Sequence, residues 1–129
     1  MIVLDASAVV ELVLVTPRGA AVAQRLRGET IHAPAHLDVE AIGAIRRAVM
    51  RQLVTDHEGQ VAVADFSSLP IRRWPTKPLM QRAYQLRGTH SVADATYVAL
   101  AEGFDVPLVT CDGPLAHSHG HHAQIELVA

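Results

Sequence analysis

The chain is poor in cysteine, lysine and aromatic residues. It has one cysteine and one lysine, and aromatic residues make up 4% of it. The single thiol, Cys111, excludes a disulfide within the chain and is typical of a reducing compartment. No apolar run approaches the ~18 residues of a membrane helix, and no basic leader precedes the first apolar segment. We therefore expect a cytoplasmic protein with no membrane span.

Net charge is also nearly absent. The formal charge of the 129 residues is −2 at pH 7, so bulk electrostatics attract neither nucleic acid nor an anionic membrane. Any contact with nucleic acid must come from local clusters of arginine. Half of the residues are hydrophobic, which suits one compact core. The sequence predicts a single domain over residues 1–129.

Several phosphate-binding motifs are missing. Ala6-Ser7-Ala8 follows the first apolar segment, where a dinucleotide-binding domain needs glycines. The one lysine, Lys77, lies outside any P-loop pattern, which excludes a Walker-type nucleotide site. Aspartyl-phosphate phosphatases and receiver domains would need a second acid close to Asp5, and none is there.

Short apolar segments alternate with longer amphipathic ones along the chain. Short segments bounded by turn residues are typical of buried parallel strands, and the longer periodic segments predict helices. The sequence therefore predicts an α/β fold of three layers, with a central, mostly parallel sheet of four to five strands. The predicted strands are residues 1–4, 30–33, 69–74, 106–110 and 125–128.

The sequence predicts the start of the first helix and the buried face of the longest one. Ser7 offers a hydroxyl as N-cap to a first helix over residues 8–14. The longest helix starts at His36 or Leu37, and its predicted core stripe is Ile42, Ile45, Val49 and Leu53.

Four acidic residues are set among small or apolar neighbours. Asp5 and Asp112 each follow a predicted strand, Glu40 lies in the first turns of the longest helix, and Asp94 comes three residues after the helix cap Ser91. Each acid taken alone has an ordinary explanation as a cap, a turn residue or a solvated side chain. These explanations do not account for all four acids lying at the ends of strands and helices, where α/β folds bind ligands.

Carboxylates gathered in one place need a counter-ion. Two of them about 4 Å apart repel by roughly 4 kcal/mol at an effective dielectric constant near 20. Oxygen ligands without a pair of cysteines favour a hard ion, Mg²⁺ or Mn²⁺. Such an ion can activate a water and stabilise the charge of a phosphoryl transition state, so the sequence favours phosphodiester hydrolysis.

The order and spacing of these segments resemble the PIN domain, and among PIN domains the VapC-type toxins of bacterial type II toxin–antitoxin pairs. The resemblance spans nearly the whole chain and departs at Leu115, where an aromatic residue often follows the last acid. It implies that Ser7 and Thr110 support the site. It also implies that the catalytic and metal-binding residues are Asp5, Glu40, Asp94 and Asp112.

The same resemblance implies the activity and the partners. It implies an endoribonuclease that depends on Mg²⁺, with Mn²⁺ as a possible substitute, and that leaves a 5′-phosphate and a 3′-hydroxyl. It further implies a VapB-type antitoxin as partner, a homodimer, and contact with operator DNA only through the antitoxin complex in the bacterial cytoplasm. The alternative function is a catalytically idle PIN-fold module that acts only through its antitoxin and DNA.

Candidate RNA contacts are scattered arginines and one histidine. Arg47 and Arg51 follow Glu40 along the same helical face, where they could bind backbone phosphates or simply be solvated. Arg87 and His90 flank the loop before Asp94 and are further candidates. The segment Arg72–Trp74 could stack on a base, but a packing role for the tryptophan is the more economical interpretation.

Four histidines lie in the six-residue segment from His117 to His122. Neutral imidazoles bind zinc, nickel or copper, so a metal site is one interpretation. Gly120 and the lack of helical spacing favour a solvated loop instead. Cys111 is best explained as a small buried residue rather than a nucleophile.

Overall fold

Five short parallel strands form the centre of the fold. The computed structural model describes all 129 residues. The sheet has the order β3-β2-β1-β4-β5, and every neighbouring pair is parallel. The predicted α/β class with a parallel sheet is therefore confirmed. The strands are β1 Ile2–Leu4, β2 Ile31–Pro34, β3 Ile71–Trp74, β4 Leu108–Thr110 and β5 Ile125–Leu127.

Helices connect the strands and flank the sheet. α6 packs against β1, β2 and β4, while α1, α3 and α4 pack against one another. No single helix has the length and apolar composition to cross a membrane; only the bent pair α1 and α2, taken together, meets those two criteria. The helices are α1 Ala6–Val13, α2 Pro17–Arg25, α3 Leu37–Met50, α4 Asp56–Ser68, α5 Met80–Gln85, α6 Val92–Phe104 and α7 Gly113–Ala116.

The central strand β1 determines where the functional side chains lie. Its three residues have no exposed surface, as expected for apolar side chains in a strand covered on both faces. Val3 is in register with His32 of β2 and Leu108 of β4. Because all three strands are parallel, the residues that follow β1 and β4 emerge side by side at one edge of the sheet.

Local structure at this edge differs from the sequence prediction in two places. α1 begins at Ala6, and its N-cap is Asp5, whose carboxylate accepts the amide of Ala8. The predicted cap, Ser7, lies inside the helix, because the carboxylate two residues earlier already satisfies the free amide. Asp112 caps a one-turn helix, α7, in a segment predicted as a turn.

The buried face of α3 also differs from the prediction. Its buried residues are Leu37, Ala41, Ile45 and Ala48. Among the predicted stripe residues only Ile45 is buried, while Ile42 is 39% exposed and Leu53, beyond the helix end, is 73% exposed. Small alanines face the core because α1 and α4 approach α3 closely, which leaves larger apolar side chains on a groove between α3 and α4. The groove has a volume of about 430 Å³.

α1 and α2 meet at a sharp angle of 114°, and Gly19 lies at their contact. A Cβ atom on Gly19 would clash with the backbone carbonyl group of Glu11 and lie 2.8 Å from its carbonyl carbon. A helix backbone cannot move aside as a flexible side chain can. The close approach of the two helices therefore requires glycine at this position.

We predict that Gly19→Ala destabilises the fold by ~2–3 kcal/mol, the scale of an overpacked core. This corresponds to a fall of about 10 °C in melting temperature for a chain of this size. Gly103→Ala is the matched control, because Gly103 lies in α6 with open space around the missing Cβ. Helix propensity should make the control variant neutral or slightly more stable. Equal melting temperatures for the two variants would contradict the steric explanation.

Candidate functional site

The four predicted acids line one cleft at the carboxyl edge of the sheet. The cleft has a volume of about 380 Å³. It is bordered by the ends of β1 and β4 and by α1, α3 and α6, so the acids reach it from separate elements. Its charged side chains are Asp5, Glu11, Arg18, Glu40, Arg47, Asp94 and Asp112.

Asp5 is the most buried of these acids, with 4% of its surface exposed. Oδ1 accepts hydrogen bonds from the Ser7 hydroxyl at 2.7 Å and from the Ala8 amide at 3.1 Å. Oδ2 accepts from the Thr110 hydroxyl at 2.6 Å. Ser7 in turn accepts the Cys111 amide at 2.9 Å. Ser7 and Thr110, predicted as supporting residues, thus fix the Asp5 carboxylate and join α1 to the end of β4.

The site is electrostatically unfavourable without a cation. Burial raises the pKa of Asp5 to about 6, against the lowering effect of its three donors, and the charge of Asp94 adds to the rise. The pKa of Asp94 is also raised, first by burial and then by the charges of Asp112 and Glu40. Neighbouring carboxylates therefore add to the cost that burial imposes on ionising Asp5 and Asp94.

The pKa of Glu40 is lowered from its usual value. The causes are its contacts with His36 and with the Tyr97 hydroxyl, which outweigh its partial burial. Tyr97 donates to Oε1 at 2.8 Å, and Nε2 of His36 lies 3.3 Å from the same oxygen. Glu40 is therefore ionised and oriented before any ligand enters the cleft.

Asp94 and Asp112 stand at the beginnings of helices. The Ser91 hydroxyl caps α6 by accepting the Asp94 amide, which places Asp94 in the first turn. Asp112 is the N-cap of α7 and accepts the Leu115 amide at 3.3 Å. Free amides and the helix dipole favour negative charge at both positions. Part of the repulsion inside the cleft is offset in this way.

The donor set suits a hard divalent ion. All four acids offer carboxylate oxygens, and the one nearby thiol, Cys111, stays protonated because burial raises its pKa to about 11. No three acidic, histidine or cysteine side chains converge closely enough to surround an ion in the structure. The carboxylates thus face a shared space without closing around it. A cation in that space would relieve the repulsion that raises the pKa of Asp94.

Comparisons with known proteins agree with this geometry. The family model of the PIN domain matches residues 2–117. The chain is 75% identical to Ribonuclease VapC12 of Mycobacterium tuberculosis, over the full length of both. This chain belongs to the PIN-domain family. Within that family its sequence places it among the VapC proteins.

Solved structures support the same fold. VapC20 of Mycobacterium tuberculosis, described as a Sarcin-Ricin loop cleaving toxin, matches 90% of this PIN domain and 93% of its own chain, with a TM-score of 0.67 and 16% identity. FitAB, solved bound to a DNA fragment, matches 98% of this chain and 94% of its own, with a TM-score of 0.61 and 17% identity. At these identities the likeness concerns the fold alone.

Three cleft residues of this PIN domain were not singled out from the sequence. Glu11 lies one helical turn after Ser7 on α1, so its spacing was an available signal. Arg18, in the first turn of α2, reaches the Cys111 carbonyl at 3.4 Å and lies 3.9 Å from Glu11. Tyr97 lies within an apolar run of α6 that is typical of a core helix. Nothing in that run indicated a polar role.

The predicted RNA contacts separate into two groups. Arg47 lines the cleft beside Glu40, whereas Arg51 is the C-cap of α3 and lies outside the cleft lining. Arg87 is exposed and stacks on Tyr84 with 4.3 Å between guanidinium and ring centre. His90 is 9% exposed, and its ring nitrogens lie 2.8 Å from the hydroxyls of Thr89 and Ser118. Burial and these bonds give His90 a role in joining two loops, which does not support its prediction as an RNA contact.

The other basic segments are used in packing. Arg73 makes a bidentate ion pair with Asp38, its nearest nitrogen 2.7 Å from a carboxylate oxygen. Arg72 stacks on Trp74, whose indole donates to Nδ1 of His32 at 3.0 Å. The tryptophan is thus held by the fold, as its packing interpretation predicted.

The histidine-rich segment makes local hydrogen bonds. His117 contacts the Gly113 carbonyl at 2.8 Å. Nδ1 of His121 accepts the Ala123 amide, while Nε2 lies 3.1 Å from the Ser118 carbonyl. No group of three histidines or acids in the segment is arranged to hold an ion. These imidazoles shape the loop between α7 and β5.

We predict that Asp5→Asn stabilises the metal-free protein above about pH 7 by about 3 kcal/mol, at ~1.4 kcal/mol per pKa unit. Because the pKa of Asp5 is raised on folding, ionising this residue lowers stability as the pH rises through about 6. The advantage of the variant should vanish near pH 4, where the wild-type carboxyl is protonated in the folded chain. Urea denaturation in EDTA across this pH range measures it.

Asparagine can keep the hydrogen bonds of Asp5, because its amide nitrogen can donate to Thr110 where the carboxylate accepted. The matched control is Asp65→Asn, which removes the same charge from an exposed position on α4. The control should show no comparable gain. A wild-type protein at least as stable as Asp5→Asn above pH 7 would contradict the assigned burial cost.

Proposed function

We propose that this chain is a metal-dependent endoribonuclease of the VapC type, the toxin of a toxin–antitoxin pair. Its similarity to Ribonuclease VapC12 over the whole length supports RNA-cleaving hydrolase activity. The observation that carries the metal-dependent mechanism is the meeting of four acids from distant positions in one cleft. We infer that Asp5, Glu40, Asp94 and Asp112 hold Mg²⁺, with Mn²⁺ as a substitute.

The chain's residues prepare the cleft for in-line attack of water on a phosphodiester. When bound, Mg²⁺ supplies a water of lowered pKa and positive charge for the departing oxygen. Asp5 is held rigidly by Ser7 and Thr110, so its oxygens need no reorganisation. Asp94 lies across the cleft and is electrostatically coupled to the other acids. The products would be a 5′-phosphate and a 3′-hydroxyl.

Two arginines border the acids and would bind the RNA backbone. Arg47 on α3 and Arg18 on α2 both line the cleft. Because the acids repel an approaching phosphate, positive side chains beside them are needed to bind the substrate. Arg51 and Arg87 lie farther out and would bind flanking phosphates. Arg18 was not among the arginines singled out from the sequence, and its place in the cleft lining supports including it.

The partners follow from the same family. We infer that a VapB-type antitoxin covers the cleft, that two copies of the chain form a homodimer, and that operator DNA is contacted only through the antitoxin. FitAB, a neighbour in fold, was solved bound to a DNA fragment. Exposed apolar side chains on α3 and α4, including Ile42, Met50 and Val63, support a protein partner on this side.

We predict that Asp94→Asn and Asp5→Asn each reduce RNA cleavage by more than ~100-fold, the scale of losing one preorganised electrostatic group. Both variants should remain folded and should no longer inhibit growth when expressed. The measurement is cleavage of total RNA by the purified chain with Mg²⁺, with Mn²⁺ and with EDTA. Asp65→Asn, which lies outside the cleft, should cleave like the wild type.

Cleavage that persists in both acid variants and in EDTA would refute metal-assisted hydrolysis. The idle-module alternative makes the opposite prediction for the wild type, which would then cleave nothing under any condition. It also predicts no rise in melting temperature on adding Mg²⁺, whereas gathered carboxylates should be stabilised by the ion.

A second prediction concerns the antitoxin. We expect an arginine-bearing C-terminal segment of the antitoxin to enter the acid-lined cleft and block cleavage, because guanidinium groups pair well with carboxylates. Calorimetry with that segment should show at least ~10-fold weaker binding to a chain in which the four proposed metal-binding acids are replaced by amides. These acids are Asp5, Glu40, Asp94 and Asp112. Equal affinity for the wild-type and neutralised chains would place the antitoxin's contacts elsewhere.

A further inference from the structure

Tyr97 is placed between the core and the cleft. Only 1% of its surface is exposed, and it is the largest of the fully buried side chains. Its ring packs in the apolar segment of α6 that faces the sheet, and its hydroxyl points out of the core toward α3. Such a residue has an apolar body held by packing and a polar tip aimed at one partner.

The partner of this tip is one oxygen of Glu40. The Tyr97 hydroxyl donates to Oε1 at 2.8 Å, a bond between residues 57 positions apart. His36 lies against the same oxygen, with Nε2 at 3.3 Å, and its ring packs on the Tyr97 ring with centres 4.6 Å apart. No protein donor contacts Oε2, and the Glu40 side chain is 33% exposed. Oε1 is thus restrained, while Oε2 is free of protein donors on a residue that lines the cleft.

Without this bond the Glu40 carboxylate would keep only its longer contact with Nε2 of His36, at 3.3 Å. Glutamate has three rotatable bonds, and a position in the first turns of a helix does not fix them. Asp5 is held by hydroxyls from α1 and β4, but no equivalent hydroxyl lies on α3 beside Glu40. The hydroxyl that restrains Glu40 comes instead from α6, the same helix that carries Asp94.

We propose that Tyr97 is the positioning residue for Glu40: its hydroxyl holds Oε1, so that Oε2 would be available to a divalent ion bound in the cleft. The phenol itself does not touch the ion or the RNA. This role rests on the proposed metal-dependent function. Within that function, the buried Tyr97 orients one of the metal-binding acids. Burial and the charge of Glu40 raise the pKa of Tyr97, which keeps the phenol a hydrogen-bond donor.

The chain offers a matched pair of variants, because it has only two tyrosines, Tyr97 and the 62% exposed Tyr84. Each is changed to phenylalanine, which removes the hydroxyl and keeps the ring. Mn²⁺ binding to the purified chain is then measured from the EPR signal of free Mn²⁺. Tyr97→Phe should weaken Mn²⁺ affinity by ~10-fold or more, as for other groups that orient a metal ligand. Tyr84→Phe should bind as the wild type does.

A double-mutant cycle separates positioning from general damage to the fold. In a Glu40→Gln background, Tyr97→Phe should cause no further loss of Mn²⁺ affinity, because there is no carboxylate left to position. An undiminished loss in that background would overturn the proposal. Wild-type affinity in Tyr97→Phe would overturn it as well, while leaving the metal-dependent function standing. If Mn²⁺ bound the wild type and Asp94→Asn equally, the proposed metal site in the cleft would be contradicted, and with it the metal-dependent function.

A spectroscopic test needs no change at Tyr97 and is independent of how well Tyr97→Phe folds. In Tyr84→Phe, Tyr97 is the one remaining tyrosine, so ultraviolet resonance Raman bands of tyrosine report its hydroxyl alone. Adding Mg²⁺ should draw electron density from the Glu40 carboxylate and so weaken the hydrogen bond that it accepts from Tyr97. The tyrosine bands should therefore shift as the Mg²⁺ concentration rises and should level off at saturation. The shift should disappear in Asp94→Asn. Bands that stay unchanged while Mg²⁺ binds would overturn the proposal.

Discussion

Burying the Asp5 carboxylate at the end of the central strand is the constraint on which the site depends. An ionised carboxylate loses a large hydration energy in such a place unless donors replace the water. Here Ser7, Ala8 and Thr110 supply three donors from two elements. The same bonds tie α1 to β4 across β1. The hydrogen bonds that make the buried Asp5 charge tolerable are therefore the same ones that hold the edge of the sheet together.

The other acids are tolerated for different physical reasons. Glu40 is ionised beside a phenol and an imidazole, Asp112 caps a short helix, and Asp94 lies at the start of α6. These local compensations are incomplete, since Asp94 still has a raised pKa from burial and from neighbouring charges. The remaining excess of negative charge is what a cation would neutralise under the proposed function. A fully compensated cluster would be more stable and would have less affinity for an ion.

Local signals predicted much of this molecule and tertiary contacts decided the rest. Short apolar strands, the cap at Ser91 and the acids after β1 and β4 were visible in the sequence because periodicity and capping are local. The face of α3 was mispredicted, since close helix packing placed Ala41 and Ala48 inward and left Ile42 outside. His90 was a candidate RNA contact from its place beside the loop before Asp94, whereas in the structure it is buried and bonded to Thr89 and Ser118. Which polar groups meet across the sheet is not encoded at short range.

Tyr97 is the clearest case of a polar contact that local sequence cannot predict. In sequence it belongs to an apolar helical run and has every feature of a core residue, which it is. Its polar tip becomes functional only because α3 and α6 lie side by side and bring Glu40 within 2.8 Å. The helix α6 therefore contributes Asp94 from its first turn and, through Tyr97 in its buried part, the restraint on Glu40. Packing of α6 against the sheet is for this reason part of the chemistry of the cleft as well as of its stability.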